Sequence, residues 1–177
     1  MRYFRKVSGE RVYLSPMNPD DVVQYTAWLN DPAVSVSTGG YPHMYSYPVE
    51  REALERMCGQ PAQFAIVASD GDLLIGNTGL MDINYIDGTA TLGIFIGRAE
   101  YRGKGYGAEA IRLLLGFGFH TLNLRNILLD VQATNAQAIA CYEKCGFTEI
   151  GRRTGAKFID GQYVDLVLMQ ALRDGVK

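Results

Sequence analysis

LGIFIGRAEYRGKGYGAEAIRLLLGFGF, residues 92–119, joins three unlike pieces of chain. Its first six residues end a run from Thr89 to Gly97 that is rich in β-branched and apolar side chains and reads as a strand. From Ala108 to Leu122, Ile111, Leu114, Leu115 and Phe119 recur at three- and four-residue steps, the period of a helix with one buried face. Between strand and helix, Arg102-Gly103-Lys104-Gly105-Tyr106-Gly107 places glycine at every second position. Without a Cβ in the way, backbone N–H groups can point into one concavity. The helix start adds its own free N–H groups and the positive end of its dipole. Such a turn suits a diphosphate and needs no metal; Arg102 and Lys104 add charge. The GK[ST] ending of a nucleoside-triphosphate loop is missing. So is the dinucleotide GxGxxG, because the glycines fall at 103, 105 and 107.

Outward from this stretch the periods alternate. On the N-terminal side Arg11–Met17 reads as a strand. Asn18-Pro19-Asp20-Asp21 starts a helix lined by Val22, Val23, Tyr25, Trp28 and Leu29, with a stop or restart at Asp31-Pro32. Residues 35–48 show neither period and read as a loop carrying Tyr41, His43, Tyr45 and Tyr47. Val49–Cys58 is expected as a helix, Gln63–Ala68 and Leu73–Ile83 as strands about the turn at 69–72, and Asp87-Gly88 as a second turn. On the C-terminal side Asn126–Gln132 is an apolar strand and Asn135–Cys145 a helix closed by Gly146. Glu149–Phe158 and Tyr163–Leu172 form a last hairpin. The sum is a single domain over residues 1–177 of mixed α/β (α+β) class. It is a central mixed, mostly antiparallel sheet of about seven strands flanked by helices.

The last of these helices, NAQAIACYEKCGF over 135–147, carries the second chemical signal. Asn135 and Tyr142 are seven apart, which puts an amide and a phenol on one face, roughly 10 Å apart along the axis. On its own this pair also reads as a helix cap and a core residue.

The combination of Arg102-x-Gly-x-Gly at a strand-to-helix turn with Asn-x6-Tyr-x3-Gly-Phe on the following helix resembles the acetyl-CoA-binding core of the GCN5-related N-acetyltransferases (GNAT). LGIFIG and the closing hairpin, with Asp160-Gly161 and Tyr163-x-Asp165, are similar to the ribosomal-protein and spermidine N-acetyltransferase branch. The resemblance implies the GNAT fold and transfer of an acetyl group from acetyl-CoA, a co-substrate, to a primary amine by direct attack in a ternary complex. It implies that Ile94, Phe95 and Ile96 lie along the pantetheine arm as an added strand would. That strand is expected to carry a bulge and splay from its neighbour, and an N–H near Phe95 or Ile96 to polarise the thioester carbonyl. Arg102, Gly103, Lys104, Gly105, Tyr106 and Gly107 would take the diphosphate, Asn135 the arm, and Tyr142 the sulfur, protonating the departing thiolate. Cys141 lies about 100° round the helix from Tyr142 and is not read as a nucleophile. Where many relatives have a glutamate base, this chain has Thr91; Asp82, His43 or a water chain stand in its place. Glu109 reads as a partner of the helix dipole.

The acceptor side is less determined. Trp28, Tyr41, His43, Tyr45 and Asp82 are the candidate substrate-binding residues, since aromatic faces attract ammonium groups. A long polycation would favour an acidic groove. Residues 20–60 hold Asp20, Asp21, Asp31, Glu50, Glu52 and Glu55, but also Arg51 and Arg56, and i,i+4 pairing explains much of that charge, as with Glu52 facing Arg56. A small-molecule amine ranks ahead of a protein or peptide N-terminus, and a homodimer is common in that branch. A non-catalytic acetyl-CoA-binding module and a transferase using another acyl-CoA remain the alternatives.

The formal charge of −2 leaves no basic excess for nucleic acid. Three cysteines, with only His43 and His120 as histidines, argue against a disulfide framework and against a metal site. The N-terminus lacks an apolar signal segment, and no apolar run is long enough for a membrane span. A cytoplasmic enzyme is expected.

Overall fold

The structure, a computed structural model, describes residues 2–39 and 42–175. In chain order the elements are β1 (Val7–Ser8), β2 (Val12–Pro16), α1 (Val22–Asn30), α2 (Pro32–Thr38), α3 (Tyr47–Cys58), β3 (Gln63–Ala68), β4 (Leu73–Asn84) and β5 (Thr89–Ile96). They continue with α4 (Tyr106–Gly116), β6 (Asn126–Gln132), α5 (Ala136–Lys144), β7 (Thr148–Ile159) and β8 (Gln162–Leu172). Among the described residues, eight strands form one sheet in the order β1-β2-β3-β4-β5-β6-β8-β7. The strand beyond the expected seven is the two-residue β1, which pairs antiparallel with β2. The chain forms two compact units, Met1–Gly79 with Ile94–Leu113 and Leu80–Gly93 with Leu114–Lys177.

In the first unit β2, β3 and the first half of β4 run antiparallel, with Leu14 opposite Ile66 and Ile66 opposite Gly76. One extra residue, Ile75, bulges from β4 between Gly76 and Leu74. Its carbonyl accepts from both Gly97 N (2.8 Å) and Arg98 N (3.2 Å), which fixes the chain as it leaves β5. Against the sheet packs a cluster that includes Tyr13, Tyr25, Trp28, Val34, Leu54 and Val67. Asn18 caps the turn Pro19–Asp21 by accepting from Asp20 N at 3.0 Å. On α1, Val22, Tyr25 and Trp28 face inward as their spacing requires, but Val23 is exposed, since i+1 from Val22 lies 100° round the helix.

The expected loop over residues 35–48 is corrected at both ends. Asp31 caps α2 by accepting from Ala33 N at 2.9 Å, Pro32 supplies the preset φ of a first turn, and Gly39 closes the helix at φ 75°. The hydroxyls of Ser35 and Thr38 bond back to the carbonyls of Asp31 and Val34, so residues that read as helix-averse are satisfied within it. α3 likewise begins at Tyr47, with Pro48 in its first turn.

In the second unit β5 and β6 run parallel over Thr89↔Asn126, Ala90↔Ile127 and Thr91↔Leu128. β8 lies antiparallel to both β6 and β7. The core holds Leu80, Leu92, Leu114, Leu115, Phe119, Ile127, Phe147, Val167 and Met169. The helix expected to run to Leu122 widens after Gly116 into a π turn over Phe117–Thr121, closed by Leu122 N donating to Phe117 O at 3.1 Å.

Candidate functional site

The first unit carries the glycine turn. Gly103 (φ 68°) and Gly105 (φ 88°) adopt the left-handed backbone that only glycine takes without strain. Arg102 does not project as a free charge. Its Nε donates to Ile96 O at 2.8 Å and its Nη2 to Gly97 O at 2.6 Å, tying the start of the turn to the end of β5. Lys104 is exposed. The ring of Tyr106 lies under the Arg11 guanidinium (4.7 Å) and meets Tyr101 edge-on at 4.9 Å.

Glu109 is more than a dipole partner. Its Oε1 accepts from the backbone N–H groups of Arg11 (2.8 Å) and Val12 (3.2 Å), and its Oε2 from Arg11 Nε (3.2 Å). Burial pushes this carboxyl up, but those backbone donors and the guanidinium outweigh it and hold Glu109 below the usual carboxylate value.

Ile94, Phe95 and Ile96 are half-buried at the end of β5. The Phe95 ring stands edge-on to Tyr25 (6.2 Å) and to Trp28 (6.1 Å). Trp28 is only 6% exposed, so it supports Phe95 from within the core and presents no open wall. A Cβ on Gly97 would collide with the Trp28 indole, which is why the chain can leave β5 only through a glycine here.

On the expected acceptor side, Asn30 pins Tyr45 by donating to its carbonyl (2.7 Å) and accepting from its N–H (3.2 Å). The exposed His43 ring meets Tyr45 edge-on at 6.2 Å. Tyr41 lies outside the described residues. Burial, then the nearby Glu50, raises the Tyr45 phenol above its usual value.

Glu50 differs from Glu52 and Glu55 on the same helix, which are exposed. It is 3% exposed and makes no side-chain hydrogen bond or ion pair among the described residues. Burial raises its carboxyl to about 7. The wholly enclosed polar atoms without a partner are Asp21 Oδ2, Thr26 Oγ1, Ser69 Oγ and Asn126 Oδ1 among the described residues. Neither Glu50 oxygen is among them, so the carboxylate end keeps contact with solvent. The sequence signal was present: Glu50 stands one turn before the fully buried Leu54, on the same face. Arg11 was also missed, and a contact 98 residues distant in sequence leaves no local trace.

The second unit carries the helix pair. Asn135 caps α5, its Oδ1 accepting from Ala138 N at 3.1 Å. Its cap role leaves the amide N–H₂ for other acceptors. Tyr142 is half-buried, edge-on to Phe147 at 5.8 Å, and its hydroxyl has no hydrogen-bond partner among the described residues. Burial, with smaller contributions from Cys141, Cys145 and Asp130, raises the phenol to about 12, so it is a proton donor at neutral pH. Asp82 is exposed, with φ 50°, on the outer half of β4. Thr91 is half-buried and paired with Leu128. None of the three cysteines forms a disulfide. No group of three His, Cys, Asp or Glu stands placed to hold a metal ion among the described residues. No helix among them is long and apolar enough to cross a membrane.

These parts recur in known proteins. The family model for the acetyltransferase (GNAT) domain matches residues 11–148. Spermidine N(1)-acetyltransferase of Escherichia coli (strain K12) is 32% identical over 164 residues, covering 92% of this chain and 86% of that protein. The putative ribosomal N-acetyltransferase YdaF of Bacillus subtilis is 29% identical over 104 residues, 59% of this chain and 56% of the relative. Among solved structures, the spermidine N-acetyltransferase of Vibrio cholerae in complex with CoA and spermine superposes with a TM-score of 0.86. It is 28% identical, over 94% of this chain and 98% of that one. A dodecameric form of the same enzyme gives 0.78 at 28% identity, over 94% and 96%. With the family model spanning both the glycine turn and the Asn135–Tyr142 helix, the chain belongs to the GNAT acetyltransferases and is an N-acetyltransferase that takes its acetyl group from acetyl-CoA.

Proposed function

We propose that the acceptor is a small polycationic amine of the spermidine type and that the residues described above divide the work as follows. Acetyl-CoA supplies the acetyl thioester, which the acceptor nitrogen attacks directly. Residues 102–107 hold the diphosphate through backbone N–H groups and the start of α4. The β5 residues Ile94–Ile96 run beside the pantetheine arm, and an N–H near Phe95 or Ile96 polarises the reacting carbonyl. Asn135 orients the arm from its free amide N–H₂. The acceptor ammonium releases one proton to solvent before it attacks. Tyr142 gives its hydroxyl proton to the sulfur as the C–S bond breaks and is reprotonated, through water, by the second proton that leaves the nitrogen.

The observation that carries this reading is the Tyr142 hydroxyl: shielded, protonated and without a protein partner. On the acceptor side, a nearly buried carboxyl at Glu50 near Tyr45, whose ring in turn meets His43 edge-on, supports a cation. The similarity to spermidine N-acetyltransferases, which covers 92% of this chain in one case and 94% in the other, supports the same class. A homo-oligomer, supported by the dodecameric relative and the exposed Ile150, Phe158 and Tyr163, is part of the proposal. So is a cytoplasmic location, where three cysteines without disulfides stay reduced.

The test is thiol release from acetyl-CoA against spermidine, spermine, an amino sugar, an aminoglycoside and short peptides with varied N-termini. Polyamines should give the highest kcat/KM. A peptide that outruns them would replace the acceptor class with a protein N-terminus.

A further inference from the structure

The glycine turn is held from outside by a residue that no motif includes. Arg11, at the start of β2, donates from Nη1 to the Lys104 carbonyl at 3.0 Å and from Nε to Glu109 Oε2 at 3.2 Å. Its guanidinium lies over the Tyr106 ring, and its Nη2 sits 2.9 Å from where a Cβ on Gly105 would be. The planar fork is therefore wedged beneath the turn at the Lys104–Gly105 peptide. Glu109 holds it there with a carboxylate also anchored on the backbone of Arg11 and Val12.

A trans peptide is planar, with its C=O and N–H pointing in opposite directions. Fixing the Lys104 oxygen on Arg11 therefore turns the Gly105 N–H away from Arg11. Arg102 fixes the start of the same turn on the carbonyls of Ile96 and Gly97. A glycine turn without such braces would sample several peptide orientations, because glycine imposes few.

We propose that Arg11 is a positioning residue for the co-substrate: it sets the Lys104–Gly105 peptide so that the Gly105 N–H faces the diphosphate. This rests on the assignment of residues 102–107 as the diphosphate site. Its charge is largely offset by Glu109, so its contribution is orientation more than attraction. Lysine cannot replace it, since an ammonium lacks the two fixed, coplanar donors that bridge Lys104 O and Glu109.

Acetyl-CoA affinity of Arg11→Gln and Arg11→Lys by calorimetry, with KM and kcat for acetyl-CoA and for S-acetylpantetheine, which has no diphosphate, tests this. Both variants should bind acetyl-CoA roughly tenfold or more weakly, the loss of one hydrogen bond to a charged group. KM for acetyl-CoA should rise with kcat at saturation little changed, and KM for S-acetylpantetheine should stay at the wild-type value. Wild-type affinity in Arg11→Gln, rescue by Arg11→Lys, or an equal rise in KM for both donors would overturn the assignment. Gly105→Val separates the two levels. If it leaves acetyl-CoA affinity intact, the turn is not the diphosphate site. If it weakens binding while Arg11→Gln does not, only the role of Arg11 falls.

Discussion

Replacing Glu50 by Gln should stabilise the protein at pH 8 far more than at pH 5. The carboxyl is 3% exposed, has no partner among the described residues, and titrates near 7 in the fold against an ordinary value of 4.5. Its folded value is raised, so the fold disfavours the ionised form. The penalty is absent below pH 4.5, grows as the unfolded chain ionises between 4.5 and 7, and is complete above 7. At about 1.4 kcal/mol for each tenfold in proton affinity, the full penalty is about 3 kcal/mol at pH 8 and about 1 kcal/mol at pH 5. Glutamine carries no charge and is nearly isosteric, so whatever its amide costs is the same at both pH values. The difference, about 2 kcal/mol, corresponds to roughly 4–8 °C in Tm for a chain of this size. Calorimetric melts of wild type and Glu50→Gln at the two pH values measure it. Equal Tm differences at pH 5 and pH 8 would refute the argument, since they would mean that Glu50 ionises as easily folded as unfolded.

Two further changes test one residue in each unit. Tyr142→Phe should lower kcat by roughly 10²–10⁴-fold, as loss of a general acid does, while acetyl-CoA affinity and Tm stay close to wild type because the hydroxyl has no protein partner; with the phenol raised to about 12, wild-type kcat should show no loss of this acid below pH 10. Trp28→Ala should cost about 3–5 kcal/mol of stability by denaturant unfolding, the range for a buried aromatic, and should loosen Phe95, which rests edge-on against the indole.

Local signals carried most of the fold. β3 and β6 fall on the residues their apolar runs mark, because short strands bounded by turns leave little freedom in register. The glycine turn was legible for the same reason: its chemistry lies in consecutive backbone groups. α2 was legible only in its start, the restart alternative at Asp31-Pro32, because PAVSVST has neither helical period nor propensity and its stability comes from the Asp31 cap, Pro32 and hydroxyls bonded back to carbonyls. Trp28 was read as a pocket wall from composition alone, whereas its fit against Gly97 depends on the tertiary path of β5. Glu50 was not set apart from Glu52 and Glu55, because a charge on an apolar face is normally discounted. Arg11 was invisible because its partners lie more than 90 residues away.

The turn at 102–107 is gripped almost wholly through main-chain atoms: the two arginines take hold of the carbonyls of Ile96, Gly97 and Lys104. A redesign can therefore rewrite the side chain at position 104 without disturbing the grip. Removing or inserting a single residue there would slide the Lys104 carbonyl past the Arg11 guanidinium. For this segment length is the inherited quantity, and the side chain at position 104 is free to drift, whereas Tyr106 is held by its contact with Arg11.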